Sequence, residues 1–108
     1  MERILKFVLD SIIEGIILVD KDAKVVYVNN NACKLLGLSP DIIGRPVDEV
    51  VNNTRLHIVV RNGIPEIDQV QYTGNAIIIT SRIPLRDENG NILGAVAVFR
   101  DITSIRKL

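Results

Sequence analysis

Two apolar runs separated by a polar turn, within residues 76–103, constrain the fold of this chain more than any other feature. The runs cover residues 76–85 and 92–99 and are rich in β-branched side chains, and the turn between them carries Asp, Asn and Gly. β-Branched runs bounded by such a turn are typical of an antiparallel hairpin. We therefore predict a long hairpin, whose second strand ends in Asp101, Ile102 and Thr103.

The charge and size of the chain limit its function. Its 108 residues are enough for one domain that buries about two-thirds of the surface of the unfolded chain. Thirteen basic and thirteen acidic residues cancel, and the arginines are scattered along the sequence. Such a balance provides no field to attract nucleic acid or an anionic membrane, so we predict neither as a partner.

Cysteine and histidine are too few for a disulfide framework or a structural zinc site. The chain has one of each, whereas structural zinc sites need four ligands. A single cysteine fits the reducing cytoplasm. No apolar run approaches the ~20 residues that span a bilayer, and no signal peptide is visible. We expect a soluble, cytoplasmic domain.

The order of predicted elements indicates an α+β fold. Helical periodicity predicts an amphipathic helix over residues 1–13. Two short strands follow at 16–19 and 24–28, then several short helices as far as Gly63, and a strand at 66–73 that alternates with period two. With the hairpin, this order predicts a five-stranded antiparallel sheet with short helices packed on one face.

The other face of the sheet also needs cover. Three strands, at 16–19, 77–79 and 95–99, are nearly continuous in apolar residues, which implies that both faces are covered. The N-terminal helix, from this chain or from a partner chain, is the expected cover. Its apolar face consists of Ile4, Leu5, Val8, Leu9 and Ile12.

Seven short segments, spread over nearly the whole chain, occur in the order and spacing of a known domain family. They are EGI at 14–16, VVYVN at 25–29, NACKLLG at 31–37, IGR at 43–45, PLRDENG at 84–90, GAV at 94–96 and RDIT at 100–103. Together they resemble the PAS domain, a bacterial sensory module. The segment 53–60, with Gly63 and 69–71, further resembles PAS domains that precede AAA+ transcription activators of the sigma-54 type.

The resemblance implies a domain layout and a signalling route. Residues 1–13 would form a cap helix, 14–103 the PAS core, and 104–108 the start of a C-terminal connector helix. The signal would leave through Asp101, Ile102 and Thr103 towards a C-terminal effector. The type of effector stays open among an AAA+ activator, a histidine kinase and other outputs.

The resemblance also implies a small pocket between the inner face of the sheet and the middle helices. Alternation and the resemblance together give its candidate residues, which are His57, Gln69, Gln71, Ile78, Thr80, Arg82, Ala95, Ala97 and Phe99. The alanines leave room, the polar side chains provide hydrogen bonds, and an arginine suits a carboxylate. Alternatively, Thr80 and Arg82 face solvent near a strand end, or the pocket is filled and holds no ligand.

Known cofactors of the family are not supported, and the ligand stays unknown. Flavin-binding members carry a reactive cysteine shortly after the Gly-Arg pair, where this chain has Pro46, Val47 and Asp48. Cys33 is expected to be a small buried side chain. Haem-binding members use a histidine farther from the end of the last helix than His57, which either donates a hydrogen bond at the pocket mouth or is partly exposed.

Two functions from different classes follow. The first is a sensory domain of a bacterial regulator that detects a small molecule or a partner state and relays it to the effector. The second is a ligand-free dimerisation module, and a homodimer is expected in either case. Catalysis is not predicted, because no nucleophile–base pair or phosphate-binding loop is present.

Overall fold

A computed structural model describes residues 3–73 and 76–103. In chain order the elements are α1 (Arg3–Ser11), β1 (Gly15–Asp20), β2 (Val25–Val28), α2 (Asn30–Leu36), a 3-10 turn (Pro40–Ile42), α3 (Val47–Val50), α4 (Leu56–Asn62), β3 (Glu66–Thr73), β4 (Ala76–Arg86) and β5 (Ile92–Asp101). The α+β fold predicted from the sequence is confirmed. The predicted connector, 104–108, lies outside the described residues, as do Met1 and Glu2.

The described strands form one antiparallel sheet in the order β2-β1-β5-β4-β3. The predicted hairpin is β4 and β5, and β5 lies at the centre of the sheet. The Asp87 carboxylate holds the turn, because it accepts the backbone N–H groups of Asn89 (2.8 Å) and Asn91 (2.9 Å). These bonds, with Asn91 first, lower the pKa of Asp87.

The core lies between one face of the sheet, the inner face, and the helices α2 to α4. Cross-strand pairs define rows on that face, and one row runs from Val28 through Ile17, Ala97 and Arg82 to Glu66. Its apolar members are buried, together with Leu56 and Val59 of α4. The helices therefore pack on the sheet through aliphatic side chains.

Two glycines allow the central strands to pack closely. Gly15 pairs with Phe99, and a Cβ at position 15 would lie 2.4 Å from Cε2 of the Phe99 ring. A Cβ at Gly94 would lie 2.1 Å from the carbonyl oxygen of Val19. Because Cβ atoms essentially never approach this closely, both positions require glycine in this packing.

The helix α1 extends from the core and leaves its apolar face open. Over Arg3–Ser11 no residue is buried, and Ile4 and Val8 are 77% and 49% exposed. Ile83 and Leu85, on the outer face of the sheet, are also exposed. α1 of the same chain therefore leaves this part of the outer face uncovered, and cover by a partner chain stays a prediction. None of the described helices is long and apolar enough to cross a membrane.

Polar contacts fix the C-terminal part of α1 to the core. The Tyr27 hydroxyl donates to Oδ1 of Asp10, and the Asn31 side chain donates to the carbonyl oxygen of Ile12 over 2.8 Å. Burial, followed by the hydrogen bond to Asp10, raises the pKa of Tyr27, so the phenol stays protonated as a donor.

Asn29 joins three elements at this junction. Its Oδ1 accepts the backbone N–H groups of Ile16 and Ala32, each over 2.9 Å. Its Nδ2 donates to the carbonyl oxygens of Leu9 (3.1 Å) and Glu14 (2.9 Å). The fully buried amide therefore has both donors and both acceptor positions filled.

We predict that Asn29→Ala lowers the free energy of unfolding by about 2–4 kcal/mol, because buried backbone groups lose their partners. Urea titration of both proteins measures the change. The control is Asn30→Ala, which alters the adjacent, exposed asparagine. Equal losses in the two variants would contradict the role assigned to Asn29.

Candidate functional site

A cavity of about 50 Å³ lies between the inner face of the sheet and the segment that joins α3 to α4. Pockets for drug-sized ligands occupy roughly 300–1,000 Å³, so this one has room for a compact ligand or a few waters. Its lining consists of Ile17, Leu36, Val51, Asn52, Asn53, Thr54, Gln71, Ile78, Thr80, Arg82, Ala97 and Phe99.

The space results from one small side chain in the row described above. Ala97 lies between Ile17 and Arg82, each of which pairs with it. The methyl group of Ala97 thus lies between two long side chains and leaves space in the row. In the neighbouring row Thr80 pairs with Phe99, so a hydroxyl and an aromatic ring border the same space.

Arg82 brings a buried positive charge to this cavity. The residue is only 3% exposed. Its Nη1 donates to Oε1 of Glu66 over 3.3 Å. Glu66 is bound more closely by Arg55, whose Nε lies 2.9 and 3.0 Å from the two carboxylate oxygens and whose Nη2 lies 2.9 Å from Oε2.

The pKa values of Glu66 and Arg82 are both lowered, for different reasons. The hydrogen bond from Arg55 is the main cause that lowers the pKa of Glu66, so the carboxylate is ionised at neutral pH. Burial lowers the pKa of Arg82 and outweighs the opposite effect of Glu66. A guanidinium nevertheless keeps its proton in proteins. Two guanidinium groups share one carboxylate, so the cluster carries one net positive charge.

The structure brings six of the nine candidate residues together around the cavity. They are Gln71, Ile78, Thr80, Arg82, Ala97 and Phe99. The alternative in which Thr80 and Arg82 face solvent is wrong, since they are 4% and 3% exposed.

The other three candidates lie elsewhere. Ala95 is packed in the core against its partner Val19. Gln69 is exposed, and its Nε2 donates to the carbonyl oxygen of Ile67 over 3.1 Å. His57 lines a separate surface depression with Lys21, Asp22 and Arg61, not the mouth of this cavity.

Glu66 is the residue that sequence reasoning missed. Strict alternation from Gln69 and Gln71 puts Ile67 on the inner face and Glu66 outside. The register of β3 shifts between Glu66 and Gln69, where Asp68 adopts a φ of 52°. This irregularity turns Glu66 inwards, opposite Arg82, and a positive φ at aspartate is not readable from alternation.

The comparison with known families agrees with this architecture. A family model described as "PAS domain" matches residues 13–104. The chain belongs to the PAS domain family.

Curated relatives of this PAS domain are signalling proteins. Sensor protein CitS of Halalkalibacterium halodurans is 38% identical over 104 residues, which cover 94% of this chain and 19% of the relative. Sensor histidine kinase DcuS of Escherichia coli is 33% identical over 107 residues, covering 93% and 19%. A signal-transduction and transcriptional-control protein of Clostridium beijerinckii is 32% identical over 104 residues, covering 92% and 16%. The chain thus spans about a fifth or less of these relatives, and a role in signalling is supported.

Solved structures show the same fold. A PAS domain from Colwellia psychrerythraea has a TM-score of 0.68 at 22% identity, covering 94% of this chain and 98% of the other. The PAS domain of Bordetella pertussis BvgS has a TM-score of 0.68 at 19% identity, covering 96% and 86%. These likenesses establish the PAS fold.

The end of β5, the predicted exit of this PAS domain, is fixed to the start of β4. The Ile77 N–H donates to Oγ1 of Thr103 over 2.8 Å, and the Ile77 carbonyl oxygen accepts the Ile102 N–H over 2.8 Å. Oδ1 of Asp101 accepts the Thr103 N–H (2.8 Å) and the Thr103 hydroxyl. Ile78, the next residue of β4, pairs with Asp101 and lines the cavity.

We predict that Glu66 makes the stability of the domain pH-dependent. Its folded-state pKa lies below its ordinary value of 4.5, so its contribution is complete above pH 4.5 and is lost as the pH falls through the folded pKa. The stability advantage of the wild type over Glu66→Gln should therefore shrink below pH 4.5. Denaturation of both proteins across this range measures it.

Arg55→Gln provides the second arm of this experiment. Without its closer partner, Glu66 should titrate nearer to its ordinary pKa, and the acid-dependent loss should become smaller. A wild-type advantage over Glu66→Gln that stays constant down to acidic pH would contradict the role of the ion pair.

Proposed function

We propose that this PAS domain is a sensor that relays the occupancy of its cavity, or the state of a partner, through the end of β5 to a C-terminal effector. The observation that carries the proposal is that Ile77 and Ile78 are adjacent residues of β4. Ile78 borders the cavity, and the backbone of Ile77 holds the exit, since its N–H donates to the Thr103 hydroxyl and its carbonyl oxygen accepts the Ile102 N–H. A displacement of β4 caused by a ligand would therefore move the exit residues directly.

We further propose a bacterial sensor histidine kinase as the host protein. The name of the relative DcuS, a sensor histidine kinase, supports this choice, and the effector would then be a kinase region. A transcription activator of the AAA+ type is the second candidate host, favoured by the segment 53–60 and by the relative named a transcriptional-control protein. The single cysteine and the balanced charge favour a cytoplasmic domain that does not bind nucleic acid directly.

We predict that Asp101→Ala uncouples output from sensing while the fold stays intact. The substitution removes the acceptor of the Thr103 N–H and hydroxyl, so Thr103 is held less firmly, while its bond to Ile77 remains. The measurement is autophosphorylation of the full-length kinase, with the melting transition of the domain as the test of folding. The control is Glu88→Ala, on the exposed β4–β5 turn. Normal switching in Asp101→Ala would overturn the exit model.

A second candidate function, a ligand-free dimerisation module, is favoured by the open apolar face of α1. Ile4, Leu5 and Val8 are exposed there, and the outer face of the sheet exposes Ile83 and Leu85. Exposed apolar surface of this kind marks interaction sites when it is contiguous. Pairing of α1 with the sheet of a second copy would cover both surfaces.

We predict that the domain is a dimer and that Val8→Glu shifts it towards monomer, because a charge on the apolar face of α1 must be desolvated in the interface. Sedimentation velocity at several concentrations measures the shift, and Lys6→Glu on the same helix is the charged control. A wild type that stays monomeric at high concentration would exclude the dimer. Native mass spectrometry separates the two functions, since a retained small molecule supports the sensor and a ligand-free dimer supports the module.

A further inference from the structure

We propose that the ligand of the cavity is a compact carboxylate anion bound by the guanidinium group of Arg82. This inference rests on the proposed sensory function and assigns the chemical class of the ligand. Three features carry it: the incompletely neutralised charge of Arg82, the neutral polar lining around it, and the size of the space.

The charge of Arg82 is only partly compensated. A guanidinium group has five N–H donors. Within 3–73 and 76–103, the hydrogen bond of the Arg82 side chain to another side chain is the 3.3 Å contact with Glu66. Because Arg55 binds the same carboxylate at 2.9–3.0 Å, the negative charge of Glu66 mainly compensates Arg55. A second anion beside Arg82 would neutralise a buried charge that the chain leaves unbalanced.

The rest of the lining accepts an anion without repulsion. Among the described residues that border the cavity, none carries a carboxylate, and Arg82 is the charged group. The neutral polar side chains there are Asn52, Asn53, Thr54, Gln71 and Thr80. The Thr80 hydroxyl lies 3.5 Å from Oε1 of Gln71, a long contact that a ligand oxygen would replace at little cost.

The shape of the site selects a small, planar anion. The guanidinium fork matches a carboxylate through two parallel N–H···O bonds. The apolar side chains of the lining, among them Ile17, Ile78 and Phe99, suit a short carbon substituent. At about 50 Å³ the space admits an anion of a few heavy atoms.

Acetate is the probe that tests this assignment. Sodium acetate is titrated into the ¹⁵N-labelled domain at constant ionic strength with chloride, and amide shifts are followed by NMR. We expect saturable shifts in the residues around the cavity. Acetamide has the same shape without the charge. Its affinity should be lower than that of acetate by about tenfold or more, because a charge-assisted hydrogen bond is lost.

Three variants give responses in opposite directions. Arg82→Gln should weaken acetate binding by about tenfold or more. Glu66→Gln removes the competing carboxylate and should strengthen binding by about threefold. In Arg55→Gln, Glu66 can pair fully with Arg82 and compete with acetate, so acetate binding should weaken. Arg61→Gln, an exposed arginine at the end of α4, is the matched control and should leave acetate affinity unchanged. Tighter binding by Glu66→Gln cannot result from misfolding, so the test holds if Arg82→Gln fails to fold.

Each contrary result has a separate meaning. Equal binding of acetate and acetamide overturns the carboxylate assignment and leaves the sensory function standing. If neither probe binds while Asp101→Ala still alters kinase output, the assignment is wrong and the domain senses a partner state. If neither probe binds and Asp101→Ala is silent, the assignment and the proposed function both fail.

Discussion

The fully hydrogen-bonded amide of Asn29 is the contact on which the arrangement of elements depends. It satisfies backbone groups at the end of α1, at the start of β1 and in the first turn of α2. In a buried position, no water can replace these bonds, and each unpaired group would cost free energy. One side chain thus fixes where the sheet begins and how the first helix of the core approaches it.

The cavity depends on small residues that lie beside the large side chains of the inner face. Arg82 remains buried because Ala97 beside it is small and because Glu66 reaches it from the edge strand. Phe99 fits next to this row only because Gly15 has no side chain. The polar centre of the inner face is therefore maintained by small residues on the neighbouring strands, and enlarging any of them would fill the space or expel the charge.

Much of the fold was predictable, since its signals are local. The β4–β5 hairpin follows from two β-branched runs around an Asp-Asn-Gly turn, and α2 follows from an asparagine cap and a terminal glycine. The ion pair of Glu66 was not predictable, because it depends on a left-handed residue inside β3. Of the two alternatives for His57, partial exposure is confirmed and the pocket-mouth position is wrong, since the side of a short helix that faces the sheet is decided by packing and not by its spacing from Gly63.

The central place of β5 has a consequence for how the chain folds. Its last strand pairs with the first strand on one side and with β4 on the other, so Gly15 meets Phe99 across nearly the whole sequence. Contacts of such long range slow folding, because the chain must close a long loop before they form. During synthesis, β1 and β2 would emerge first, and the edge of β1 would stay unpaired until β5 is made. The strand proposed to carry the signal outwards is thus also the strand whose arrival completes the sheet.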